Sequence, residues 1–287
     1  MTIERVGVVG CGLMGSGIAE VCARAGLDVI VREVDAEAVA RGQARLQTSV
    51  DRAVERNKLS ADDAQTALGH LSYTTDMGDL ADRQMVVEAI TESAPAKLEV
   101  FTALDKVVAD EDAILASNTS SIPIMKLGMA TNRPQQVVGL HFFSPVPVLT
   151  LVELVVSLLT SETTAARAHT FAEGALGKRV IRAKDRAGFI VNALLIPYLI
   201  SAIRMFESGF ASAEDIDSGM TLGCNHPMGP LALADFIGLD TTMAAAESLY
   251  EEFKEPMYGP PPLLARMVDA GLLGRKTGRG FYVYREP

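Results

Sequence analysis

Val6-Gly7-Val8-Val9-Gly10-Cys11-Gly12-Leu13-Met14-Gly15 stands near the start of the chain and decides how the rest is read. Val6 to Gly10 is a short apolar run, as expected of a strand buried on both faces. A glycine-rich turn follows, then a helix through Ala25, then a second apolar run from Leu27 to Arg32. Strand, helix and strand in so short a span form the unit of a parallel sheet. Gly10, Gly12 and Gly15 have the G-x-G-x-x-G spacing, and each has a mechanical task. The first permits a tight turn, the second lets backbone approach a pyrophosphate, and the third lets the helix pack on the strand. A pyrophosphate there meets the N–H groups of a helix N-terminus.

The motif gains its meaning from context. It follows a strand, opens a helix, and is answered by an acid at the end of the second strand, Glu33. Glu33 is placed to accept hydrogen bonds from the adenosine ribose hydroxyls and to repel a 2′-phosphate. That favours NAD over NADP, a preference softened by Arg32 beside it. The expected cofactor contacts here are Gly10, Gly12, Leu13, Met14, Gly15 and Glu33, in an N-terminal Rossmann-type domain with a parallel sheet.

Asp35 to Leu68 is polar and helix-prone, one long helix or a helical pair. Met85–Ala89, Ala113–Ala116 and Val137–Phe143 read as strands, and Ala94–Val108 as a helix. Thr150–Val156 is a buried strand or a helix start. After Val180-Ile181 the apolar periodicity is helical. Helices are expected over Gly188–Phe206, kinked at Pro197, within Leu231–Phe253, and over Leu263–Ala270. A boundary near Lys184 divides an α/β domain, residues 1–184, from an all-α C-terminal domain, residues 185–287.

The balance of charge excludes one class of partner. Thirty-six acids against 26 bases give a formal charge of −10, the opposite of a nucleic-acid footprint. Cys11, Cys22 and Cys224 are too few and too scattered for a disulfide framework or a metal site, so a reducing compartment and no bound metal are expected. No secretory signal is read at the N-terminus. The longest apolar stretch, Gly188–Ile203, is short for a bilayer and carries Asn192, Pro197 and Tyr198, so it reads as a core helix. A cytoplasmic protein without a membrane partner is the expectation.

His141 ends the apolar segment Val137-Val138-Gly139-Leu140, and Glu153 lies twelve residues on. A chain reversal around Pro147 would set them face to face. A glutamate beside a histidine holds the ring's orientation and stabilises its protonated form. Such a base can take an alcohol proton while hydride leaves for a nicotinamide. On spacing alone, a satisfied structural histidine reads equally well. Ser117-Asn118-Thr119-Ser120-Ser121 is a small polar loop directly after a strand, placed to offer hydroxyls. An ordinary turn before Pro123 is its other reading.

Taken together, the glycine loop, Ser-Asn-Thr-Ser-Ser, His141-Phe-Phe-x-Pro-Val-Pro and Leu151-Val-Glu resemble the L-3-hydroxyacyl-CoA dehydrogenase family. Within it, the short bacterial 3-hydroxybutyryl-CoA dehydrogenases look nearest. Val87-Glu88-Ala89-Ile90 with Glu92 and Lys97, Asp185 to Asn192, Pro227-Met-Gly-Pro-Leu, Asp235 to Asp240 and Lys276-Thr-Gly-Arg-Gly-Phe-Tyr extend the likeness over both domains. The resemblance implies reversible NAD-dependent oxidation of a short L-3-hydroxyacyl-CoA, within fatty-acid metabolism. It implies His141 as general base, Glu153 as its support, Ser120 on the substrate's 3-oxygen and Asn192 on the acyl thioester. Glu92, Lys97 and Asn118 fall near the cofactor. As bare sequence, however, Glu92 and Lys97 read as solvated helix surface.

Arg52, Arg56 and Lys58 are candidates for the phosphates of coenzyme A, against the plainer reading of a charged exposed helix. A homodimer through the C-terminal domain is also implied. Two departures stand out. Ser144 occupies the place of the family's commoner asparagine, so any substrate contact there is made by a hydroxyl. One extra residue between Glu153 and Lys178 is expected to lengthen a loop. Sugar-acid dehydrogenases of the gulonate type share similar motifs but would want a buried arginine that the sequence does not place. A crystallin-like, non-catalytic NAD-binding role would tolerate loss of His141, Glu153, Ser120 and Asn192, and all four are present.

Overall fold

The computed structural model describes residues 2–284. β1 (Arg5–Val9), α1 (Leu13–Arg24) and β2 (Asp28–Arg32) form the opening unit. Gly10 turns the chain at φ 93. At Gly15 the constraint is space, since a Cβ would lie 1.9 Å from the Gly10 carbonyl oxygen. The helix thus descends onto the strand end at a position that has no room for a side chain.

The polar stretch folds as a helical pair, α2 (Ala36–Glu55) and α3 (Ala61–Gly69). Asp35 and Ser60 cap them by accepting from the Ala38 and Asp63 N–H groups. β3 (Leu71–Thr74), β4 (Met85–Glu88), α4 (Ala94–Val107), β5 (Ile114–Ser117), α5 (Ile124–Gly128), β6 (Val137–Phe142), β7 (Leu151–Val156), α6 (Glu162–Thr170) and β8 (Arg179–Lys184) complete the first compact unit, which ends at Arg186.

All eight strands form one sheet in the order β3-β2-β1-β4-β5-β6-β7-β8. The first six are parallel, β7 runs antiparallel to β6, and β8 is parallel to β7. The order 3-2-1-4-5-6 is that of a dinucleotide-binding sheet, with the ligand crevice outside the strand C-termini where the order reverses, here between β1 and β4. Every residue of β4, β5 and β6 is buried, as in a parallel sheet covered on both faces. Val6, Val8, Val29, Val31, Val87, Val138 and Leu140 pack with Ile18 and Ala19 of α1. Each such aliphatic side chain contributes about 1.5–3 kcal/mol by leaving water.

The second compact unit begins at Ala187 and is helical, two residues beyond the expected start at Asp185. It contains α7 (Val191–Glu207), α8 (Ala213–Gly223), α9 (Pro230–Ile237), α10 (Leu239–Phe253) and α11 (Pro262–Asp269). Leu199, Ile203, Leu231, Leu239 and Leu264 form its core. Asp217 accepts the Leu231 and Ala232 N–H groups at 2.8 and 2.9 Å, capping α9. Asp235 holds the C-terminal segment through the Phe281 and Tyr282 N–H groups, each at 3.0 Å.

Several elements differ from expectation, each for a physical reason. Leu231–Phe253, expected to contain one helix, holds the end of α9 and all of α10, because Gly238 at φ 104 breaks the hydrogen-bond ladder. The helix expected from Gly188 starts at Val191, since Gly188 (φ 74) and Phe189 (φ 46) are left-handed. Pro197 lies inside α7. β8 carries Arg179, Arg182 and Lys184, charges suited to a sheet edge, which hide it from an apolar scan. The stretch after Glu153 also contains a π turn, Phe171–Ala175. Its i→i+5 closure, Leu176 N–H to Phe171 carbonyl at 3.2 Å, takes up one residue more than an α turn.

Gly15→Ala drives a methyl group into the Gly10 carbonyl. It is expected to cost about 1–3 kcal/mol of stability and to weaken NADH binding. Urea unfolding with a parallel NADH titration checks both, and an unchanged urea midpoint contradicts the steric account.

Candidate active site

At the crevice, α1 starts with Gly12 as its N-cap, no side chain caps it, and no acid lies in its first turn. A Cβ on Gly12 would meet nothing within 4 Å. The helix dipole and first-turn N–H groups are thus presented to an approaching anion, with Leu13 exposed and Met14 half-buried beside them. Glu33, just past β2, accepts the Cys11 N–H with one carboxylate oxygen and the Val34 N–H at 3.1 Å with the other. Arg45 of α2 donates to the Cys11 carbonyl at 2.8 Å. These residues fit a dinucleotide, with open backbone and a helix end for pyrophosphate and an acid for ribose. Cys11 itself is inert: burial, reinforced by the charge of Glu33, pushes its thiol up to about 11.

The β6–β7 register sets His141 directly opposite Glu153. Directly opposed residues of antiparallel strands share a face. His141 Nδ1 lies 2.7 Å from Glu153 Oε2, and both residues are buried. A carboxylate accepts, so Nδ1 carries the proton and Nε2 is left bare in the neutral ring. Ser120 Oγ lies 2.9 Å from Nε2, so its hydroxyl donates there. The Phe143 ring flanks the imidazole at 4.7 Å between centroids.

The connection between the two strands is also held. Lys178, buried, donates to the carbonyls of Val146 and Leu149, the latter at 2.8 Å. Burial, with Arg24 nearby, lowers its pKa. Ser144 is exposed in this connection and precedes a cis proline, Pro145. Helix α1 packs onto the same turn, where a Cβ on Gly17 would lie 2.8 Å from Val146. The glycine loop and the His141 strand are therefore parts of one packed structure.

A second charged cluster lies at the neighbouring strand ends. Lys97 is 1% exposed, which overturns the reading of a solvated helix surface. Its Nζ is 2.6 Å from Glu88 Oε1 and 3.4 Å from Glu92 Oε2. Glu88, the last residue of β4, also accepts the Ile90 N–H at 2.7 Å and the Ser117 hydroxyl at 2.6 Å. Glu92 Oε1 accepts from the Thr119 hydroxyl, the Ser120 N–H (2.9 Å), the Ser121 N–H (3.0 Å) and the Ser121 hydroxyl (2.9 Å). Partial burial alone would raise its pKa, but Lys97 and these donors outweigh that and hold it below 4.5. Asn118 Oδ1 accepts the Phe142 N–H at 2.9 Å, tying β5 to β6.

The structure thus brings together His141, Glu153, Ser120, Asn118, Glu92 and Lys97 in the first unit. Asn192 belongs to the second unit, in the first turn of α7. Arg52, Arg56 and Lys58 are exposed at and just beyond the C-terminal end of α2. Sequence reasoning gave no site role to Glu88, Ser117, Asp185 or Lys178. One signal was present for Glu88: a glutamate closing the otherwise apolar Met-Val-Val-Glu. Among the described residues, no cluster of histidine, cysteine and acids could hold a metal, and no helix is long and apolar enough to cross a membrane.

Lys97→Met strands Glu88 as an unpaired buried charge. It is expected to destabilise the protein by about 3–5 kcal/mol in urea unfolding; a loss under about 1 kcal/mol contradicts the pairing. Glu92, its pKa depressed by folding, contributes stability above 4.5 that is lost as pH falls through its lower folded value. Glu92→Gln should therefore flatten the acid limb of the stability curve, and an unchanged limb contradicts this.

Residues 5–186 match the domain described as 3-hydroxyacyl-CoA dehydrogenase, NAD binding domain, and residues 188–284 match its C-terminal domain. A 3-hydroxybutyryl-CoA dehydrogenase of Mycobacterium tuberculosis is 59% identical over 282 residues, covering 98% of this chain and 99% of that protein. The mitochondrial hydroxyacyl-coenzyme A dehydrogenase of Homo sapiens is 41% identical over 290 residues, covering 99% and 92%. The crystal structure of M. tuberculosis FadB2 superposes with a TM-score of 0.98 at 58% identity, covering 99% of this chain and 100% of that one. That of PaaH1, an (S)-3-hydroxybutyryl-CoA dehydrogenase from Ralstonia eutropha, gives 0.95 at 47% identity, covering 99% and 100%. By sequence over both units and by fold, the chain belongs to the 3-hydroxyacyl-CoA dehydrogenase family.

Proposed function

We propose that this enzyme oxidises a short L-3-hydroxyacyl-CoA to the 3-ketoacyl-CoA, reversibly, with His141 as general base. The observation that carries the reading is a buried histidine with Nδ1 2.7 Å from Glu153 and Nε2 2.9 Å from the Ser120 hydroxyl. NAD, when bound, accepts the hydride from C3. The substrate's 3-hydroxyl enters where the Ser120 hydroxyl now meets Nε2, and both groups can bond it. As the C3–H bond breaks, the hydroxyl proton passes to Nε2 and the oxygen becomes a carbonyl. Glu153 then lies against the imidazolium, so the new positive charge forms beside a fixed negative one. In the reverse direction the imidazolium returns the proton to the oxygen, and Ser120 supports the developing alkoxide. Burial of the dyad keeps water from competing for the proton.

Two of the relatives cited above are named 3-hydroxybutyryl-CoA dehydrogenases, which supports a short acyl chain. We assign Asn192 to the acyl thioester and Arg52, Arg56 and Lys58 to the phosphates of coenzyme A. A hydroxyl at Ser144 takes the place of an amide contact. The second unit exposes the large apolar side chains of Leu194, Phe210, Leu222 and Phe236, which supports burial of part of it in a homodimer. Buried free thiols at Cys11 and Cys22 fit a reducing cytoplasm.

Following NADH consumption with acetoacetyl-CoA tests the assignment. The wild type is expected to turn over, and His141→Ala to lose about 10²–10⁴-fold in kcat while still binding NADH. A wild type that binds NADH yet leaves acetoacetyl-CoA untouched would sink the reading.

A further inference from the structure

We propose that Glu92 is the positioning residue for Ser120, holding the loop that carries it so that its hydroxyl stays on His141 Nε2. This deepens the reading above and rests on it. Residues 119–123 have no regular secondary structure, and beyond Asn118, whose N–H still bonds the Glu88 carbonyl at 2.9 Å, the sheet ladder does not continue. Their N–H groups go to side-chain acceptors, since no strand partner takes them. Glu92 accepts four of the loop's donors through one oxygen. It takes the Ser120 and Ser121 N–H groups and the Thr119 and Ser121 hydroxyls. Ser120 is thus gripped at both ends, its N–H by Glu92 at 2.9 Å and its Oγ by His141 at 2.9 Å.

The clamp is anchored from behind. Lys97 lies between Glu92 and Glu88, and Glu88 takes the hydroxyl of Ser117, where the loop begins. Downstream, the two oxygens of Asp185 take the Ile124 and Met125 N–H groups at 2.8 Å each, where the loop ends. Thr119 relays the hold inward by accepting the Ile122 N–H at 2.9 Å. Four donors on one oxygen and an ammonium on the other direct Glu92 to the loop. A loop displaced by about 1 Å costs on the order of 10²-fold in rate without touching ground-state cofactor affinity.

The test compares the wild type with Glu92→Ala, Glu92→Gln, Ser120→Ala and the double variant Glu92→Ala/Ser120→Ala. Expected is a fall in kcat of about 10–100-fold for Glu92→Ala, with the Kd for NADH alone within about twofold. Glu92→Gln is expected to fall less, since its amide oxygen still accepts from the loop. The double variant should be no slower than Ser120→Ala, because both changes remove one interaction. Multiplying losses, or a rise in the NADH Kd that accounts for the loss, overturns the proposal. A nitrogen NMR spectrum of the His141 ring reads the same question without turnover. Glu92→Ala and Glu92→Gln should move the Nε2 resonance towards that of Ser120→Ala. An unmoved resonance overturns the proposal even if Glu92→Ala fails to fold, since Glu92→Gln carries it. Absence of turnover in the wild type refutes the reaction, while the resonance still judges the clamp.

Discussion

Strands covered on both faces have no place for a polar side chain except at their ends, and a charge placed there must be paired. β4, β5 and β6 are buried throughout, yet they end in or beside Glu88, Ser117 and His141. Removing a carboxylate from water without a partner costs several kcal/mol. Each of these groups is accordingly bonded: Glu88 to Lys97 and Ser117, and His141 to Glu153 and Ser120. The chemistry gathers at this edge because the strand ends let buried side chains be both polar and satisfied.

The reversal of β7 then makes the dyad. A parallel neighbour would need a crossover of a dozen residues or more and would bring its partner residue from a distant part of the chain. An antiparallel return lets two residues of one hairpin-like pair meet in register, here His141 against Glu153. The return is held by Lys178 on two carbonyls and by α1 against Val146, so the base stands on a rigid element. The same α1 opens the dinucleotide cradle. A change that loosens the glycine loop therefore also reaches the turn beside the base.

Local constraints were legible in the sequence. Gly10 and Gly15 announce a turn and a steric exclusion within six residues, and the register of His141 and Glu153 follows from one reversal between two apolar runs. Lys97 was not legible. A lysine five residues from a glutamate on a helix looks solvated until the sheet shows which helix face it covers, and Glu88 comes from another strand. Gly238 hid a helix break because a glycine is tolerated within many helices and only its φ of 104 decides the matter. The edge strand β8 was masked by its arginines and lysine. The basic residues Arg52, Arg56 and Lys58 were legible as an exposed patch, but nothing in their spacing says what they meet.

The division of labour between strand and loop has a physical logic. A base must keep one orientation through both directions of the reaction, and a strand in the middle of a sheet provides that. The hydroxyl at Ser120 has to meet the imidazole in the free protein and the substrate oxygen when it is bound. That needs a loop, whose freedom would dissolve the geometry if nothing restrained it. A carboxylate suits the restraint better than a neutral acceptor, because charge-assisted hydrogen bonds are roughly twice as strong as neutral ones. The charge has its own cost near a buried Glu88, and Lys97 offsets it by lying between the two acids. Two carboxylates and one ammonium leave one negative charge, and it falls on Glu92, which the loop donors surround and water partly reaches.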